Sequence, residues 1–479
     1  MTVKCVPESY EDRKTHRSRM HGKAIVFVSP GYPGKRFIFE KAHELGVKSI
    51  VIDSPGSWVK GLEESGLVDT VLEVDMAQDD DSVFIACVEA LERMPKIDGI
   101  CTFVELSAPL TARLCERFDV PGHSVNSVTL ARDKHLTRKA INSTDSTSKY
   151  AIKNYLIKEG TEAELITAAA HVGFPAVLKP VSGAASLGVQ KVTSFEELLR
   201  TYSIISELVG DLVVSSGALE RRVRLANTHE SESESTEASA EPFHSNLSSL
   251  SNTLIALEEY ISGQEVDIDM VLCDGEITFC EISDNGPTVE PYFGETFNCC
   301  PSLLPTDQQD LLRTMAYEIT VDALGFKSGV FHVEAKMSPH GPRLIEVNCR
   351  MGGGPIRAVH LARSGVDLVE EQLLVSAGYH STPPSIPEGD RLAVGFIDVN
   401  ASKSGSVNTL SFLDGIESRP GILYSKPFVF PGEHIIGPEE GQPTWLLEAV
   451  LTRHCPNEAY LDAQDLYVEV QKLFEANYV

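Results

Sequence analysis

No apolar run in this sequence approaches the roughly 20 residues that a membrane-spanning helix requires, so no such span is expected. The first 23 residues, MTVKCVPESYEDRKTHRSRMHGK, are charged and polar and lack the apolar centre of a secretory signal. The ten cysteines form no CxxC pair, which removes the usual spacing signal for a zinc site or a disulfide framework. Cys299 and Cys300 are adjacent and read as reduced core or loop residues, and a reducing, cytoplasmic setting is the expectation. Cations are scarce: 41 basic residues face 69 acidic ones, a net charge of −28. That balance argues against nucleic acid and anionic membranes as partners. A phosphate-binding GxxxxGK[ST] loop is missing too; PGYPGKRF at 30–37 lacks its spacing and reads as a tight strand-to-helix turn. There is no internal repeat.

What is present begins with length. At 479 residues the chain exceeds one core, and roughly three domains are expected. Residues 1–22 are expected to form a flexible N-terminus. In 23–125, KAIVFVSPG, KSIVIDSPG, DTVLEVD and IDGICTFVE alternate with helical segments, which predicts a Rossmann-like parallel α/β domain. A second domain is expected over 126–385, opening with the helical stretch SVTLARDKHLTRKAI. Within it, 227–253 is rich in Ser and Glu and poor in large apolar groups, and is expected to be a disordered acidic insertion. Strands at 254–261, 266–271 and 276–282 read as a meander. Thr306 and Gln309 read as a capping box ahead of LLRTMAYEITVDALG. Residues 386–479 are expected to form a mixed α/β C-terminal domain.

Two stretches carry the chemistry. In LIEVNCRMGGGP (344–355), Glu346 and Asn348 fall on one face of a strand, because side chains alternate with period 2. Glu334, in GVFHVEAKM, lies on a neighbouring strand joined through the hairpin turn SPHG. Two carboxylates and an amide oxygen are hard ligands of the kind Mg²⁺ (or Mn²⁺) takes together with phosphate oxygens. In ALEEYISGQEVDID (256–269), Glu258 can accept from an adenine amine, the backbone at Tyr260 and Ile261 can read the adenine edge, and Glu265 can hold ribose hydroxyls. GFPAVLKPVSGAASLGVQKV (173–192) supplies Lys179 before a small-residue loop whose N–H groups can close over phosphate. Each motif has an ordinary alternative: solvated edge carboxylates, a buried ion pair, or a glycine hairpin beside a surface lysine.

In order, a helix lysine, a strand lysine with a glycine loop, EEYISGQE, and Glu…E-x-N-x-R resemble the ATP-grasp superfamily. The segments SDNGPTVEPYFGETFNCCPSLLP (283–305), GVFHVEAKM and LIEVNCRMGGGPIRAVHLARSGVDLVEE are most similar to carnosine synthases and related L-amino-acid ligases. The resemblance implies a two-lobed ATP-grasp domain over 126–385, with ATP and Mg²⁺ as cofactors. Lys134 and Lys179 would contact ATP phosphates, and Ser186 would sit in the lid loop. Glu258, Tyr260, Ile261 and Glu265 would hold adenine and ribose, and Glu334, Glu346 and Asn348 the metal. Arg350 would act catalytically with Lys179, while Arg357 and Asn285 would meet substrate. Cys349 stands where the family usually has proline, and the insertion is a second departure.

The implied reaction joins a carboxylate to an amine through an acyl phosphate, with small-molecule amino acids as substrates. β-Alanine or a similar acid joined to histidine or a similar amine is the first expectation. An ordinary α-dipeptide ligase, a specialised-metabolite amide ligase and a non-catalytic ATP-binding scaffold stay open. A homodimer is the default assembly.

Overall fold

The computed structural model describes residues 15, 17–183, 186–210, 212–215, 218–221, 254–384, 386–438 and 443–478. The insertion expected at 227–253 lies outside them. Part of the segment expected to be flexible is packed: residues 17–20 are helical, Met20 is fully buried, and Arg17 makes two bonds to Glu370 at 2.7 and 2.5 Å.

Strands Ala24–Val28, Lys48–Asp53, Thr70–Glu73 and Gly99–Cys101 form a parallel sheet in the order third, second, first, fourth. The first strand, AIVFV, is buried along its whole length, as expected for a parallel strand covered on both faces. The sheet order reverses beside this strand, so the loops after Val28 and Cys101 open together at the carboxyl ends of the strands.

A four-stranded antiparallel sheet follows, ordered Asn154–Ile157, Ile255–Glu259, Ala176–Pro180, Gln190–Val192. Leu178 and Leu257 pack against Leu165, Ala168 and Leu198 of the covering helices Glu162–Val172 and Phe195–Gly210. Alternation turns Lys179 and Glu258 to the opposite, cleft-facing side. The expected meander is therefore split. Ile255–Glu259 joins this small sheet, whereas Gln264–Cys273 and Glu276–Asn285 join another.

That other sheet has eight strands, from Gly341–Asn348 through Gly329–Ser338, Gln264–Cys273, Glu276–Asn285, Phe297–Cys300, Ala393–Asn400 and Trp445–Arg453 to Ile422–Pro427. The boundary expected at 385/386 thus falls inside one continuous sheet, because Phe297–Cys300 pairs directly with Ala393–Asn400. On one face Val266, Ile268, Met270, Phe331, Val333 and Ala335 pack on Val128, Leu312 and Met315 of helices Val125–Arg132 and Thr306–Tyr317. The other face turns Glu265, Asp267, Asp269, His332, Glu334 and Lys336 away from that core.

Two local expectations are corrected. SVTLARDKHLTRKAI is two helices, Val125–Arg132 and Lys134–Ser143, because the Asp133 carboxylate accepts from Leu136 N and caps the second. Lys134 therefore stands at a helix start. The Thr306–Gln309 capping box is not made: Pro305 is the N-cap and Gln309 bonds the Ser302 and Leu304 carbonyls.

Candidate active site

The small sheet and the large sheet face each other across a cleft. An inner cavity of about 120 Å³ is walled by both lobes, and a wider one of about 1500 Å³ shares Ser186, Glu334 and Glu346 with it. Lys134, Lys179, Glu258, Tyr260, Ile261 and Glu265 line the inner part, and Asn285, Asn348 and Arg350 the wider part.

Glu258 is buried and held by three contacts: Arg138 Nε at 3.1 Å, Arg138 Nη2 at 3.0 Å and Lys179 Nζ at 2.6 Å. Burial opposes its charge, but Arg138 and Lys179 overcome that and hold the carboxyl down at about 2. Lys179 is pushed down to about 8 by burial, with Arg138 and Lys134 adding to the effect against Glu258. At neutral pH two cations therefore share one carboxylate, leaving positive charge for a polyphosphate. Among the described residues Oε2 takes Arg138 Nη2 and Lys179 while Oε1 takes only Arg138 Nε, so one acceptor site of the Glu258 carboxylate stays open for an adenine amine. The Tyr260 N–H donates to Pro175 O at 3.3 Å, whereas among the described residues nothing bonds the Ile261 N–H. Glu265 pairs with Lys336 at 3.1 Å.

Glu334 and Glu346 stand directly opposite on paired strands. Asn348 Nδ2 donates to both, at 3.2 Å to Glu334 Oε1 and 3.3 Å to Glu346 Oε1. Lys134 Nζ lies 2.5 Å from Glu346 Oε2, and this pairing holds Glu346 well below the usual carboxylate range against the cost of burial. Glu334 is raised well above that range by burial and then by Glu346. Among the described residues no group of three or more His, Cys, Asp or Glu side chains is placed to hold a metal ion unaided. The two carboxylates nevertheless fit Mg²⁺, which is commonly held by one or two carboxylates completed by substrate phosphates and water. Asn348 would join them through oxygen only with its amide turned over, since its Oδ1 faces Arg350 here. Glu334 is the unneutralised charge that such an ion would match.

Arg350 leaves the same strand and is fixed from three sides. Its Nε meets Glu105 Oε2 at 2.9 Å, Nη1 donates to Met351 O at 2.8 Å, and Nη2 to Asn348 Oδ1 at 3.4 Å. Glu105 comes from the loop after the fourth parallel strand and also binds Arg132 at 2.9 Å, so the N-terminal sheet helps set the Arg350 position. Asn285 donates to Asp267 Oδ1 at 2.9 Å. Ser186 holds a left-handed φ of +53 in the wall of both cavities. Arg357 is not brought to the cleft: its guanidinium is bidentate on Asp367, at 2.8 and 2.7 Å, with Phe37 stacked 5.0 Å away.

Several cleft residues escaped the sequence reading. Asp269, fully buried, bridges His332 Nδ1 at 2.8 Å and His360 Nε2 at 2.7 Å. Burial works against a charged His332, but Asp269 and Asp267 raise it to about 10. The period-2 rule that selected Glu346 and Asn348 also selects Asp267 in EVDID and His332 in FHVEAK, so that signal was available. Lys35 was flagged only as part of a turn. Its Nζ donates to Phe103 O at 2.5 Å at the cleft wall, and burial, then Arg350, pushes it down to about 7.

Residues 39–122 match the ATP-grasp N-terminal domain, and residues 215–358 match the ATP-grasp domain. The chain thus carries an ATP-grasp N-terminal domain and an ATP-grasp domain. Carnosine synthase 1 of Homo sapiens is 28% identical over 391 residues, covering 80% of this chain and 43% of that protein. The chain thus spans less than half the length of the curated relatives of this kind. Alanine–anticapsin ligase of Bacillus subtilis strain 168 is 26% identical, covering 63% of this chain and 59% of that one. An L-amino acid ligase structure from Bacillus licheniformis superposes with a TM-score of 0.68 at 19% identity, covering 93% and 97% of the two chains. An N5-carboxyaminoimidazole synthetase from Staphylococcus aureus, complexed with ADP, superposes at 0.65 with 12% identity over 93% and 97%. These two share the fold of this chain.

Among the described residues no helix is long and apolar enough to cross a membrane. The nine cysteines among them are free thiols.

Proposed function

We propose that this ATP-grasp chain is an ATP-dependent carboxylate–amine ligase that makes a dipeptide-like amide and releases ADP and phosphate. One observation carries the reading: Lys134 and Lys179 meet Glu334, Glu346 and Asn348 in a single cleft that ends at a fixed Arg350. The likeness to carnosine synthase 1 and alanine–anticapsin ligase supports amino acids as substrates. It favours β-alanine or a similar acid joined to histidine or a similar amine. The free thiols fit a reducing, cytoplasmic setting.

A carboxylate is a poor acyl donor because its oxide does not leave at neutral pH. In the proposed reaction a substrate carboxylate oxygen attacks the γ-phosphorus of ATP, the bond to the β-bridging oxygen breaks, and ADP departs. The amine nitrogen then adds to the acyl carbon, loses a proton, and phosphate leaves with the electron pair of the C–O bond. Lys134 and Lys179 reduce the charge on the phosphate oxygens, and Arg350 faces the oxyanion of the tetrahedral intermediate. Mg²⁺ or Mn²⁺ held by Glu334, Glu346 and Asn348 would supply further charge neutralisation on the phosphates. The loop around Ser186 would cover the reacting groups and exclude water, which otherwise competes with the amine.

A panel of amino-acid pairs scored for both ADP and amide tests the reading. ADP release that depends on a particular pair, with an amide of matching mass, is the expected result. ADP release indifferent to every pair would remove it. Offering β-alanine and its isomer L-alanine separately as the acid, with the equal-mass products told apart by chromatography against standards, separates a β-alanyl amide from an α-dipeptide, the second reading that the likeness to the L-amino acid ligase supports.

A further inference from the structure

Beyond the nucleotide and metal groups, strand Ala393–Asn400 brings Asp398 to the wall of the wider cavity. Asp398 is 7% exposed, and its Oδ1 accepts no hydrogen bond among the described residues. Glu448 stands directly across the strand pair and accepts from Tyr424 Oη at 2.6 Å. Burial first, and then the carboxylates Glu295, Glu448 and Asp267, raise Asp398 well above its usual range. Trp445 is its neighbouring donor, yet Trp445 Nε1 is also buried without a hydrogen-bond partner. Lys426 acts on Glu448 but lies 4.9 Å over the Phe428 ring, outside the cavity wall.

Aromatic surface completes this corner. Trp445 lines the cavity and stacks on Phe428 with 4.2 Å between ring centres. Tyr32, from the first loop of the N-terminal sheet, also lines it, and its hydroxyl is pushed up to about 12 by burial and then by Glu448 and Asp398. Gly354 closes the corner from the Arg350 side. A Cβ there would sit 3.6 Å from Glu448 Oε2 and 3.7 Å from the Trp445 ring. Carboxylates with no ion pair among the described residues, set between an indole and a phenol, are what a desolvated organic cation needs: opposite charge in line and π faces at the sides.

We propose that the corner between Asp398, Glu448, Trp445 and Tyr32 is a subsite for a positively charged group, an ammonium, guanidinium or imidazolium, carried by the amine substrate. The word substrate rests on the ligase reading; the cation site itself does not. A neutral amine leaves Asp398 without a counter-charge, so a basic side chain is selected over a neutral one of the same shape.

L-Arginine and its neutral isostere L-citrulline are titrated into the full chain by calorimetry, with Mg²⁺ and a non-hydrolysable ATP analogue present. The expected result is arginine at least tenfold tighter than citrulline, with that ratio collapsing toward one in Asp398→Asn and falling partway in Trp445→Leu. Equal binding of the two probes, or an unchanged ratio in Asp398→Asn, overturns the subsite. If Asp398→Asn does not fold by circular dichroism, Glu448→Gln takes its place under the same criterion. Selective arginine binding with no amide from any acid would sink the ligase reading and leave the subsite standing. Amides formed with neutral amines, and no arginine preference, would do the reverse.

Discussion

At the nucleotide end of the cleft, Glu258, Glu265 and Glu346 each meet a lysine or arginine of the chain itself, at 2.5 to 3.1 Å. Toward the other end, burial and then neighbouring carboxylates raise Glu334 (Glu346), Glu295 (Glu265 and Glu346) and Asp398 (Glu295 and Glu448), and among the described residues no lysine or arginine forms an ion pair with them. Glu295 reaches solvent in the cleft yet is enclosed enough to share this effect. The contrast divides labour. The neutralised end is built to hold its shape before anything binds and carries surplus positive charge for phosphates. On the proposed function and subsite, the unneutralised end would draw its counter-charge from what binds there, a divalent ion beside Glu334 and a substrate cation beside Asp398.

The largest effect expected is on turnover at the boundary between the two ends. Glu346→Ala is predicted to fold normally and to lose about a thousandfold or more in ADP formation, since it removes a proposed metal ligand and strands Lys134. Circular dichroism and ADP assays check this, and a folded variant with full turnover would remove the metal assignment. Chelation should abolish ADP formation in the unaltered protein, and added Mg²⁺ or Mn²⁺ should restore it.

Stability should respond next, and oppositely at the two ends. Glu258→Gln leaves Arg138 and Lys179 buried without their carboxylate, and about 3–5 kcal/mol of unfolding free energy should be lost. Asp398→Asn breaks no ion pair and should change stability by about 1 kcal/mol or less. Urea denaturation of the two variants side by side measures the difference; equal losses would erase the distinction drawn here.

The same contrast has a pH signature. Because the Glu258 carboxyl is depressed from 4.5 to about 2, its contribution is fully present above about 4.5 and disappears as pH falls through about 2. Melting temperatures between pH 5 and 2 should show this loss in the unaltered chain and a shallower one in Glu258→Gln.

A pH signature in the alkaline range concerns Lys35. Its ammonium is disfavoured in the fold, down from 10.5 to about 7, so its contribution to stability rises as pH climbs from about 7 to 10.5. Lys35→Met should flatten that rise, and melting curves across pH 6.5 to 10 would show it; an unaltered slope assigns the rise to other groups.

Much of the architecture was legible because it rests on local pattern. Fully apolar segments such as AIVFV announce a parallel sheet, and alternating EVDID, FHVEA and LIEVN announce strands with one charged face. The Glu334–Glu346–Asn348 group followed from that alternation. Reading failed where a neighbour in space decided the outcome. Ile255–Glu259 looked continuous with the strands after it but pairs with Asn154–Ile157 and Ala176–Pro180. Asp133 divided a helix that hydrophobic spacing alone ran together. Arg357, next to the Gly-rich turn, turned to Asp367 ten residues on.

By itself, then, the sequence determined which side chains share a strand face, because the side-chain period of an extended chain needs only local backbone geometry. Tertiary structure alone decided which carboxylates meet cations. Arg138 lies 120 residues from Glu258, and Glu105 comes from a different sheet to fix Arg350. Charge compensation depends on distance and burial, and only the folded chain sets either one.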